Sequence, residues 1–429
     1  MSAVFVLPVL ESGRGAPVAS MLSTAAWATA GARVFDGSWI VSPSGVLLPD
    51  EARRLATAPP HSGSDVESGS IRSSSPSTQA SRSARSRVVG FVPSHVKTFA
   101  KDVRALVRGR TFRVGAGPWD DAGVGLVWQR HELYQDAGLV LADRLGVPSV
   151  LFAPATKVWE ARRWGTNRPG WGRLTERFGE AVAIRRATLV TCGSEQVAEQ
   201  VVRLGADPER VIVTPNGVDV ERFGGGRRAE GLRLAGLKEE RDRLLVGWVG
   251  SFRSFHGLDL LVDGLRGVAD VHLLLVGDGP ERRRIERRCN DAGVPVTATG
   301  TITQQDLPDL LAAMDVAVVV ADEADTFHYS PLKLGEYLAA GCAVIAPDVG
   351  PVSVRAGDGD GMLLVPPGDA AALGEAVALL RDDPARRRAL GEAGRELADA
   401  TFSWDSQLRR IGRHLGLDSE PPTYKAVPG

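Results

Sequence analysis

Short apolar runs alternate with amphipathic stretches along almost the whole chain, and this alternation restricts the fold more than any other feature. Apolar runs separated by stretches of helical periodicity favour parallel sheets with helices on both faces. The runs fall into two groups, which predicts two sheets. The first group comprises residues 4–10, 33–35 or 39–41, 88–92, 124–128, 147–152, 189–192 and 211–214. The second comprises residues 244–249, 271–276, 296–299, 316–320, 343–346 and 362–365.

Composition narrows the class of protein. The 429 residues suffice for two or three domains with proper cores. Because 51 basic residues face 52 acidic ones, no overall charge attracts nucleic acid or anionic lipid, and we expect no nucleic-acid partner. The three cysteines form no disulfide or metal-ligand pattern, which indicates a reducing, cytoplasmic setting. The first residues contain an apolar run without a basic leader, which is typical of a first strand rather than a signal peptide.

Residues 57–87 interrupt the alternation. They contain 11 serines in 31 residues, and Val66 and Ile71 are their only sizeable aliphatic side chains. Such a segment has too little apolar surface to offset the entropy lost on ordering, which predicts a disordered insertion. A regulatory loop is the alternative. Residues 420–429 are expected to be loose as well.

The stretch 326–347, TFHYSPLKLGEYLAAGCAVIAP, predicts a helix start suited to a phosphorylated ligand. Ser330 is a good capping residue and Pro331 suits the first helical position. The free N–H groups of Leu332 and Lys333 then point outward with the positive end of the helix dipole. That end of the helix attracts a diphosphate.

The same helix is expected to carry a carboxylate toward the ligand. Glu336 lies where it can accept the two hydroxyls of a ribose. Leu334, Tyr337 and Leu338 follow helical spacing and predict a buried opposite side. Gly341 then ends the helix, before the buried strand 343–346.

The stretch resembles the donor-site motif of retaining glycosyltransferases of the GT-B fold, family four, in which two glutamates seven residues apart flank a helix start. Glu336 occupies the second position, and His328 stands at the first as a donor-contacting residue. Glu323 and Asp325, just upstream, are alternative sources of the missing carboxylate. The resemblance implies an α/β protein of GT-B architecture, with two Rossmann-like doubly wound domains facing each other across a cleft.

The pair Asn216–Gly217 lies in TPNGVDVERF, which resembles the segment that links the two domains in this family. We therefore expect an acceptor-side N-terminal domain at 1–215 and a donor-binding domain at 216–400. Residues 401–429 are expected to form a C-terminal helix with a loose tail.

The loop 249–257, VGSFRSFHG, resembles the loop that supplies an arginine and a lysine to the diphosphate in this family. Ser251 and His256 occupy those two places, and Arg253 lies between them. The planar guanidinium of Arg253 matches two phosphate oxygens at once, which predicts the diphosphate contact there. His256 is expected to donate one further hydrogen bond, with a structural role as the alternative.

Two more segments of the second half match the family. The stretch 273–286, LLLVGDGPERRRIE, repeats a strand, a glycine turn and a helix, and in the family these glycines pack under the nucleotide. The resemblance places Gly300, Thr301 and Ile302 against the edge of the nucleobase. Because backbone groups recognise the base there, side chains do not separate uracil from guanine.

The first half supplies fewer candidates. Gly13, Arg14 and Gly15 follow the first strand, and the resemblance places them near the donor phosphates, with a simple tight turn as the alternative. In 125–138 a strand ends at His131, on the sheet edge where ligands of open α/β sheets bind. The family often places a histidine there against the transferred sugar. A histidine hydrogen-bonded inside the domain is the alternative.

The stretch 157–173, KVWEARRWGTNRPGWGR, mixes three tryptophans with four arginines. This mixture suits an acceptor sugar, an anionic membrane surface or an ordinary exposed loop. No strongly basic amphipathic helix stands out in the sequence, which favours a soluble acceptor. Weak peripheral membrane contact stays open.

The resemblance implies transfer of a sugar from a UDP- or GDP-linked donor with retention of configuration. Its catalytic group would comprise His131, Arg253, Lys333 and Glu336, with the helix start and the two cations stabilising the leaving diphosphate. A donor phosphate oxygen would take the acceptor proton, so neither a protein base, a metal ion nor another cofactor is expected. The acceptor would be a small polar metabolite or a cell-envelope glycan. The alternatives are a sugar-nucleotide epimerase, a phosphorylase and a non-catalytic sugar-nucleotide-binding protein.

Overall fold

A computed structural model describes residues 1–8, 18–57, 93–163, 165–238, 243–321, 332–353 and 361–417. Contacts divide the chain into two compact units. The first domain comprises Met1–Thr191 and Glu199–Ile212, and the second comprises Cys192–Ala198 and Val213–Gly429. Several predictions fall outside the described residues, namely the glycine turn at 13–15, the insertion beyond Thr57, the run 88–92, the segment 323–331 and the tail at 420–429.

The first domain is built on a seven-stranded sheet. Its strands are β1 (Ser2–Val6), β2 (Gly37–Ser42), β3 (Gly45–Leu47), β4 (Val124–Arg130), β5 (Ser149–Ala153), β6 (Leu189–Cys192) and β7 (Val211–Val213). They lie in the order β3-β2-β1-β4-β5-β6-β7, with β1 parallel to β2 and β4 and with β3 antiparallel to β2. Every residue of β1 and β5 is buried, as expected for a sheet covered on both faces.

Apart from 88–92, which lies outside the described residues, the predicted runs of this domain correspond to strands, with three differences. Residues 39–41 belong to β2, whereas 33–34 complete a helix, so the interpretation of 33–35 as a strand was wrong. The short hairpin strand β3 was not predicted. The bounds of β1 are earlier than the predicted run 4–10.

The helices of the first domain are α1 (Val18–Val34), α2 (Pro49–Thr57), α3 (Ser94–Thr111), α4 (Ala137–Leu145), α5 (Lys157–Arg163), α6 and α7 (Glu195–Arg203). Helix α6 is a continuous segment made of Gly172–Thr175, a π-helical turn Glu176–Glu180 and Ala181–Arg186. A π turn inserts one residue into a helical turn and often occurs at functional sites.

Helix α3 corrects one expectation from the sequence. Lys97, Lys101, Arg104 and Arg108 recur at intervals of three or four residues and are all exposed, so α3 is a strongly basic amphipathic helix. The argument for a soluble acceptor, which rested on the lack of such a helix, is therefore wrong.

The second domain has a six-stranded sheet. Its strands are β8 (Leu244–Val249), β9 (Val271–Val276), β10 (Val296–Ala298), β11 (Val316–Val318), β12 (Ala343–Pro347) and β13 (Met362–Val365), which confirms all six predicted runs. They lie in the order β10-β9-β8-β11-β12-β13, and each pair is parallel. Counted within the domain, this is the order 3-2-1-4-5-6 of a Rossmann sheet.

The helices of the second domain cover both faces of that sheet. They are α8 (Val220–Gly224), α9 (Arg228–Leu234), α10 (Leu258–Leu265), α11 (Arg282–Asp291), α12 (Leu307–Ala313), α13 (Leu332–Ala340), α14 (Gly350–Ser353), α15 (Ala370–Asp382), α16 (Pro384–Leu397) and α17 (Trp404–His414). Alternate strand residues enter two separate cores, for example Leu245 and Ala317 on one face and Val246 and Val318 on the other. The two domains are thus both Rossmann-like α/β units, as the sequence predicted.

Candidate active site

The strand order of the second domain locates a ligand site before any side chain is considered. The order reverses between β8 and β11, and open α/β sheets bind ligands at the carboxyl ends of the strands beside such a reversal. Helix α13 lies between the parallel strands β11 and β12 in sequence, so it begins at this carboxyl edge. The loops that follow β8, β9 and β10 begin at the same edge.

Packing fixes α13 against the end of β8. Leu334, Tyr337 and Leu338 are fully buried, which confirms the predicted inner side of the helix. The Tyr337 hydroxyl accepts a hydrogen bond from the backbone N–H of Val249 at 2.8 Å. Burial raises the pKa of Tyr337, so the hydroxyl stays neutral. At the other end Gly341 adopts a left-handed φ of 76° and ends the helix as predicted.

Lys333 lies one turn before Tyr337 and is half-buried. Its Nζ lies 4.3 Å from the centroid of the buried Trp248 ring, a cation–π contact at the end of β8. Burial lowers the pKa of Lys333 to about 8, against the opposing charge of Glu336. An anion bound here would favour the charged form of Lys333, because an opposite charge nearby raises the pKa of a lysine.

Glu336 is half-buried on the same helix. Burial raises its pKa to about 7, although Arg222 and Lys333 act in the opposite direction. Near neutral pH this carboxyl is therefore poised between its charged and neutral forms. A buried carboxyl with nearby cations and a perturbed pKa is typical of a binding or catalytic group.

Arg222, at the start of the second domain, was missed by the sequence analysis. It lies on α8, where Asp219 caps the helix by accepting from the backbone N–H of Arg222 at 3.2 Å. The Arg222 guanidinium donates to the backbone carbonyl of Gln304, in the loop after β10, and its charge acts on Glu336. The pattern D-V-E-R, a capping aspartate three residues before an arginine, is the sequence signal that identifies its helix.

The loop after β8 holds Arg253 and His256 together. The backbone N–H of Arg253 donates to His256 Nδ1 at 3.0 Å. Burial, then the charges of Lys333 and Arg253, lower the pKa of His256 to about 4. The imidazole is therefore neutral at pH 7, with Nδ1 occupied and Nε2 carrying the proton that it can donate. The Arg253 side chain is exposed, as a group awaiting a ligand would be.

Glycines allow the neighbouring turns to pack tightly against this loop. A Cβ at Gly277, where φ is 118°, would lie 2.1 Å from the carbonyl oxygen of Gly250. A Cβ at Gly279 would lie 1.9 Å from the carbonyl oxygen of Ser251. Because no side chain fits at either position, the turn after β9 supports the backbone of the loop 250–257 from below.

The predicted nucleobase segment follows β10. Gly300 adopts a left-handed φ of 74° and forms an isolated bridge with Gly277. Thr301 is exposed, whereas Ile302 packs against the core. Lys333, Glu336, Arg253, His256 and this segment thus all lie at the carboxyl edge of one sheet.

Five predicted donor-site positions, Gly13, Gly15, His328, Ser330 and Pro331, lie outside the described residues. Leu332 begins α13. Among the described residues no three His, Cys, Asp or Glu side chains converge as a metal site, and independence from metal stays a prediction. None of the described helices is both long enough and apolar enough to span a bilayer.

The first domain presents a different group at its own carboxyl edge. His131 follows β4 directly and is fully buried, and its Nε2 lies 3.1 Å from Glu180 Oε1. Glu180, on the π turn of α6, also accepts from the backbone N–H groups of Lys157 at 2.5 Å and Val158 at 3.2 Å. The sequence left two interpretations of His131, a contact with the transferred sugar or a hydrogen bond inside the domain. The structure contains the hydrogen bond inside the domain. His131 Nδ1 has no hydrogen-bond partner in the part of the chain that the structure describes.

Comparison with known proteins agrees with this geometry. Residues 79–222 match the family model described as Glycosyltransferase Family 4, and residues 243–383 match the model described as Glycosyl transferases group 1. The 2-deoxystreptamine glucosyltransferase of Streptomyces kanamyceticus is 32% identical over 73% of this chain and 81% of its own length. The alpha-maltose-1-phosphate synthase of Mycolicibacterium smegmatis is 29% identical over 66% of this chain and 77% of its own length.

A solved structure extends the comparison to the fold. The HepE protein of Anabaena in complex with UDP superposes with a TM-score of 0.59 at 14% identity, covering 97% of this chain and 100% of that one. The same protein has also been solved with UDP-glucose. With both halves matched by glycosyltransferase models and a relative above 30% identity along most of its length, the chain belongs to the family 4 glycosyltransferases.

Proposed function

We propose that this glycosyltransferase takes its sugar from a UDP- or GDP-linked donor, which binds at the carboxyl edge of the second domain. The observation that carries the proposal is the group on α13 and the loop after β8. There Lys333, Arg253 and a neutral His256 surround one end of a helix whose first N–H groups face the same edge. A diphosphate matches this set because it needs cations and N–H donors together.

The nucleoside end of the donor is assigned to Glu336 and to the segment 300–303. Glu336 would accept the two ribose hydroxyls, which favours its charged form over the neutral form that burial promotes. The backbone of the segment would meet the base. The complexes of HepE with UDP and UDP-glucose support a nucleotide sugar as the donor.

The proposed reaction retains the anomeric configuration. The bond between the anomeric carbon and the diphosphate oxygen breaks, and the acceptor oxygen bonds to the same carbon on the same face. The acceptor proton passes to an oxygen of the leaving diphosphate, so the step needs no protein base. Lys333 and Arg253 meet the charge that grows on the diphosphate, which is electrostatic stabilisation by preorganised groups.

The first domain is proposed to bind the acceptor. His131, at the carboxyl edge of its sheet, is proposed to contact the transferred sugar. Membership of the family favours transfer over the epimerase, phosphorylase and non-catalytic alternatives. Transfer needs an acceptor, whereas an epimerase would convert the nucleotide sugar alone.

Calorimetry on the full chain with UDP-glucose and GDP-mannose tests the donor site. We expect one of them to bind and to be hydrolysed slowly without acceptor, releasing a sugar whose first-formed anomer matches the donor by NMR. Lys333→Ala is the control that must slow this hydrolysis. Lack of binding to either nucleotide sugar would exclude the proposed donor site, and an inverted anomer would exclude retention.

A further inference from the structure

Arg282 lies beside the segment 300–303, which is proposed above to meet the nucleobase. It is the first residue of α11, directly after the turn that follows β9. Its Nη1 is next to Gly300, since a Cβ built on that glycine would lie 3.0 Å from this nitrogen. Gly300 also has a left-handed φ of 74°, which disfavours a side chain there. The glycine therefore leaves room for the guanidinium at the start of the segment.

Hydrogen bonds fix the two turns that bring Arg282 and Gly300 together. The backbone N–H of Gly277 donates to Thr299 Oγ1 at 3.3 Å, and that hydroxyl donates to the carbonyl oxygen of Gly300 at 3.0 Å. On the other side, the backbone N–H just before Arg282 donates to the carbonyl oxygen of Phe252 at 3.0 Å. The start of α11 is thus held between the loop after β8 and the loop after β10. The fold itself sets the position of Arg282 beside the segment.

The Arg282 guanidinium differs from that of a neighbouring arginine on the same helix. Arg284 donates two hydrogen bonds to Asp259, both at 2.7 Å, so its donors are occupied within the protein. Arg282 instead lies 3.6 Å from Asp278 Oδ1 and 3.5 Å from Glu286 Oε1, as ion pairs without a hydrogen bond. Among the described residues its N–H groups have no acceptor. The two carboxylates hold the charge in place while its donors stay available to a ligand.

The same two carboxylates indicate which part of the donor Arg282 meets. A diphosphate placed against Arg282 would be repelled by Asp278 and Glu286, whereas a neutral base would not. The diphosphate has its own cations in Lys333 and Arg253, at the start of α13 and in the loop after β8. The side chain of Arg282 is 28% exposed, so solvent only partly weakens a hydrogen bond formed there. These observations favour the base over the diphosphate as its partner.

A guanidinium in this position distinguishes bases by the group that they present. Its N–H groups donate hydrogen bonds and accept none. Uracil and guanine carry a carbonyl oxygen at the position where cytosine and adenine carry an amino group. The carbonyl oxygen accepts from the guanidinium, whereas an amino group would set one donor against another. Because uracil and guanine share the carbonyl, this contact does not separate the two.

We propose that Arg282 determines the class of base in the donor, by donating to the carbonyl oxygen of uracil or guanine and excluding cytosine and adenine. The inference rests on the donor site proposed above and adds a specificity-determining side chain to it. The backbone of 300–303 positions the base, and Arg282 recognises its carbonyl group.

Calorimetry on the full chain with UDP, CDP, GDP and ADP tests the proposal. Within each pair of equal ring size, UDP with CDP and GDP with ADP, the charge of the diphosphate is the same. For the pair whose carbonyl-bearing member binds, we expect the amino-bearing member to bind at least about 30-fold more weakly.

Arg282→Met removes the donors and keeps most of the length of the side chain. It should reduce the ratio of the two affinities about tenfold, mainly by weakening the carbonyl-bearing nucleotide. Arg282→Lys keeps the charge but loses the planar fork, so it should retain part of the ratio. The matched control is Arg283→Met, at the next position of α11, where the side chain is exposed. It removes the same charge and should leave both affinities unchanged, and all three variants should melt at the temperature of the wild type.

The outcomes separate this inference from the donor site on which it rests. An unchanged ratio in Arg282→Met would overturn the proposal. So would an equal loss of affinity for both members of the pair, since that pattern would assign Arg282 to the diphosphate. If the wild type bound none of the four nucleotides, the donor site itself would be wrong. Equal binding of UDP and CDP, or of GDP and ADP, would leave the donor site in place and contradict only the selection by Arg282.

Discussion

The carboxyl edges of the two sheets differ in how far their ionisable residues are buried and in whether those residues are hydrogen-bonded within the protein. In the first domain His131 and Glu180 are both fully buried, and Glu180 accepts three hydrogen bonds from the domain itself. In the second domain Lys333 and Glu336 are half-buried and form no ion pair with one another among the described residues. Burial moves the pKa of Lys333 down to about 8 and that of Glu336 up to about 7, although opposite charges nearby act against both shifts.

The contrast separates residues that hold the fold from residues that await a ligand. A buried carboxylate with its hydrogen bonds satisfied contributes to stability, and its removal is costly. A partly buried charge whose pKa is shifted by desolvation costs stability and is retained where a ligand supplies the missing partner. Glu180 is therefore expected to behave as a stability residue, and Glu336 as a binding residue.

The largest effect should come from Glu180→Ala. The substitution leaves His131 Nε2 and the backbone N–H groups of Lys157 and Val158 without an acceptor in a buried site. We expect the free energy of unfolding of the first domain to fall by about 4 kcal/mol, measured by chemical denaturation.

Glu176→Ala is the matched control on the same π turn. Its partner Arg162 is 60% exposed, so the loss should stay below about 1 kcal/mol. If the two variants lost the same free energy of unfolding, the buried pair of Glu180 with His131 would contribute no more to stability than the exposed pair of Glu176 with Arg162.

The sequence predicted the parts of the molecule that follow local patterns. The six strand runs of the second domain and the buried side of α13 could be identified, because apolar residues at the spacing of a strand or helix are visible within a few positions. The pair of His131 with Glu180 could not, since 49 residues separate the two and the π turn that aims the carboxylate has no sequence signature. The position of Arg222 beside Glu336 likewise depends on how α8 packs on α13.

The exposure of α3 could not be predicted for a similar reason. No strongly basic amphipathic helix was identified in the sequence analysis, and apolar residues at helical spacing normally face the core. Only Asp102, paired with Arg168, and the tight contact of Gly109 with Tyr134 show that the side of α3 carrying Asp102 and Gly109 faces inward, which leaves both the apolar and the basic residues of α3 exposed.

The second prediction concerns the donor edge. Lys333→Ala should reduce turnover about 100-fold, with a smaller change in donor affinity, because the charge on the leaving diphosphate grows toward the transition state. Steady-state kinetics with the donor identified by calorimetry provides the measurement. Lys333→Arg should restore part of the rate. A rise in KM at unchanged kcat would instead assign Lys333 to ground-state binding.

Arg253→Ala should have a smaller effect, about tenfold on turnover, because the side chain is exposed and solvent already weakens its field. Lysine should restore only part of the rate, since it lacks the two-pronged geometry. His256→Ala is the comparison, and its pKa of about 4 predicts no contribution to the pH profile near neutrality. If Arg253→Ala kept near-normal turnover while His256→Ala lost it, the phosphate contact would be assigned to His256 instead.

The smallest change in rate and the sharpest test of the contrast come from Glu336→Gln. In the wild type the folded-state pKa of Glu336 is about 7, above the value of an unfolded glutamate, so the folded protein binds more protons between the two values. The free energy of unfolding should therefore fall as the pH rises from about 5 to about 7, and the glutamine variant should lack this part of the slope. Above that range the variant should be at least as stable as the wild type, while its donor affinity by calorimetry should be several-fold lower, because a neutral amide accepts ribose hydroxyls less strongly. Unchanged donor affinity in the folded variant would remove Glu336 from the site, and an unchanged stability profile would show that desolvation of this carboxyl is not what sets its pKa.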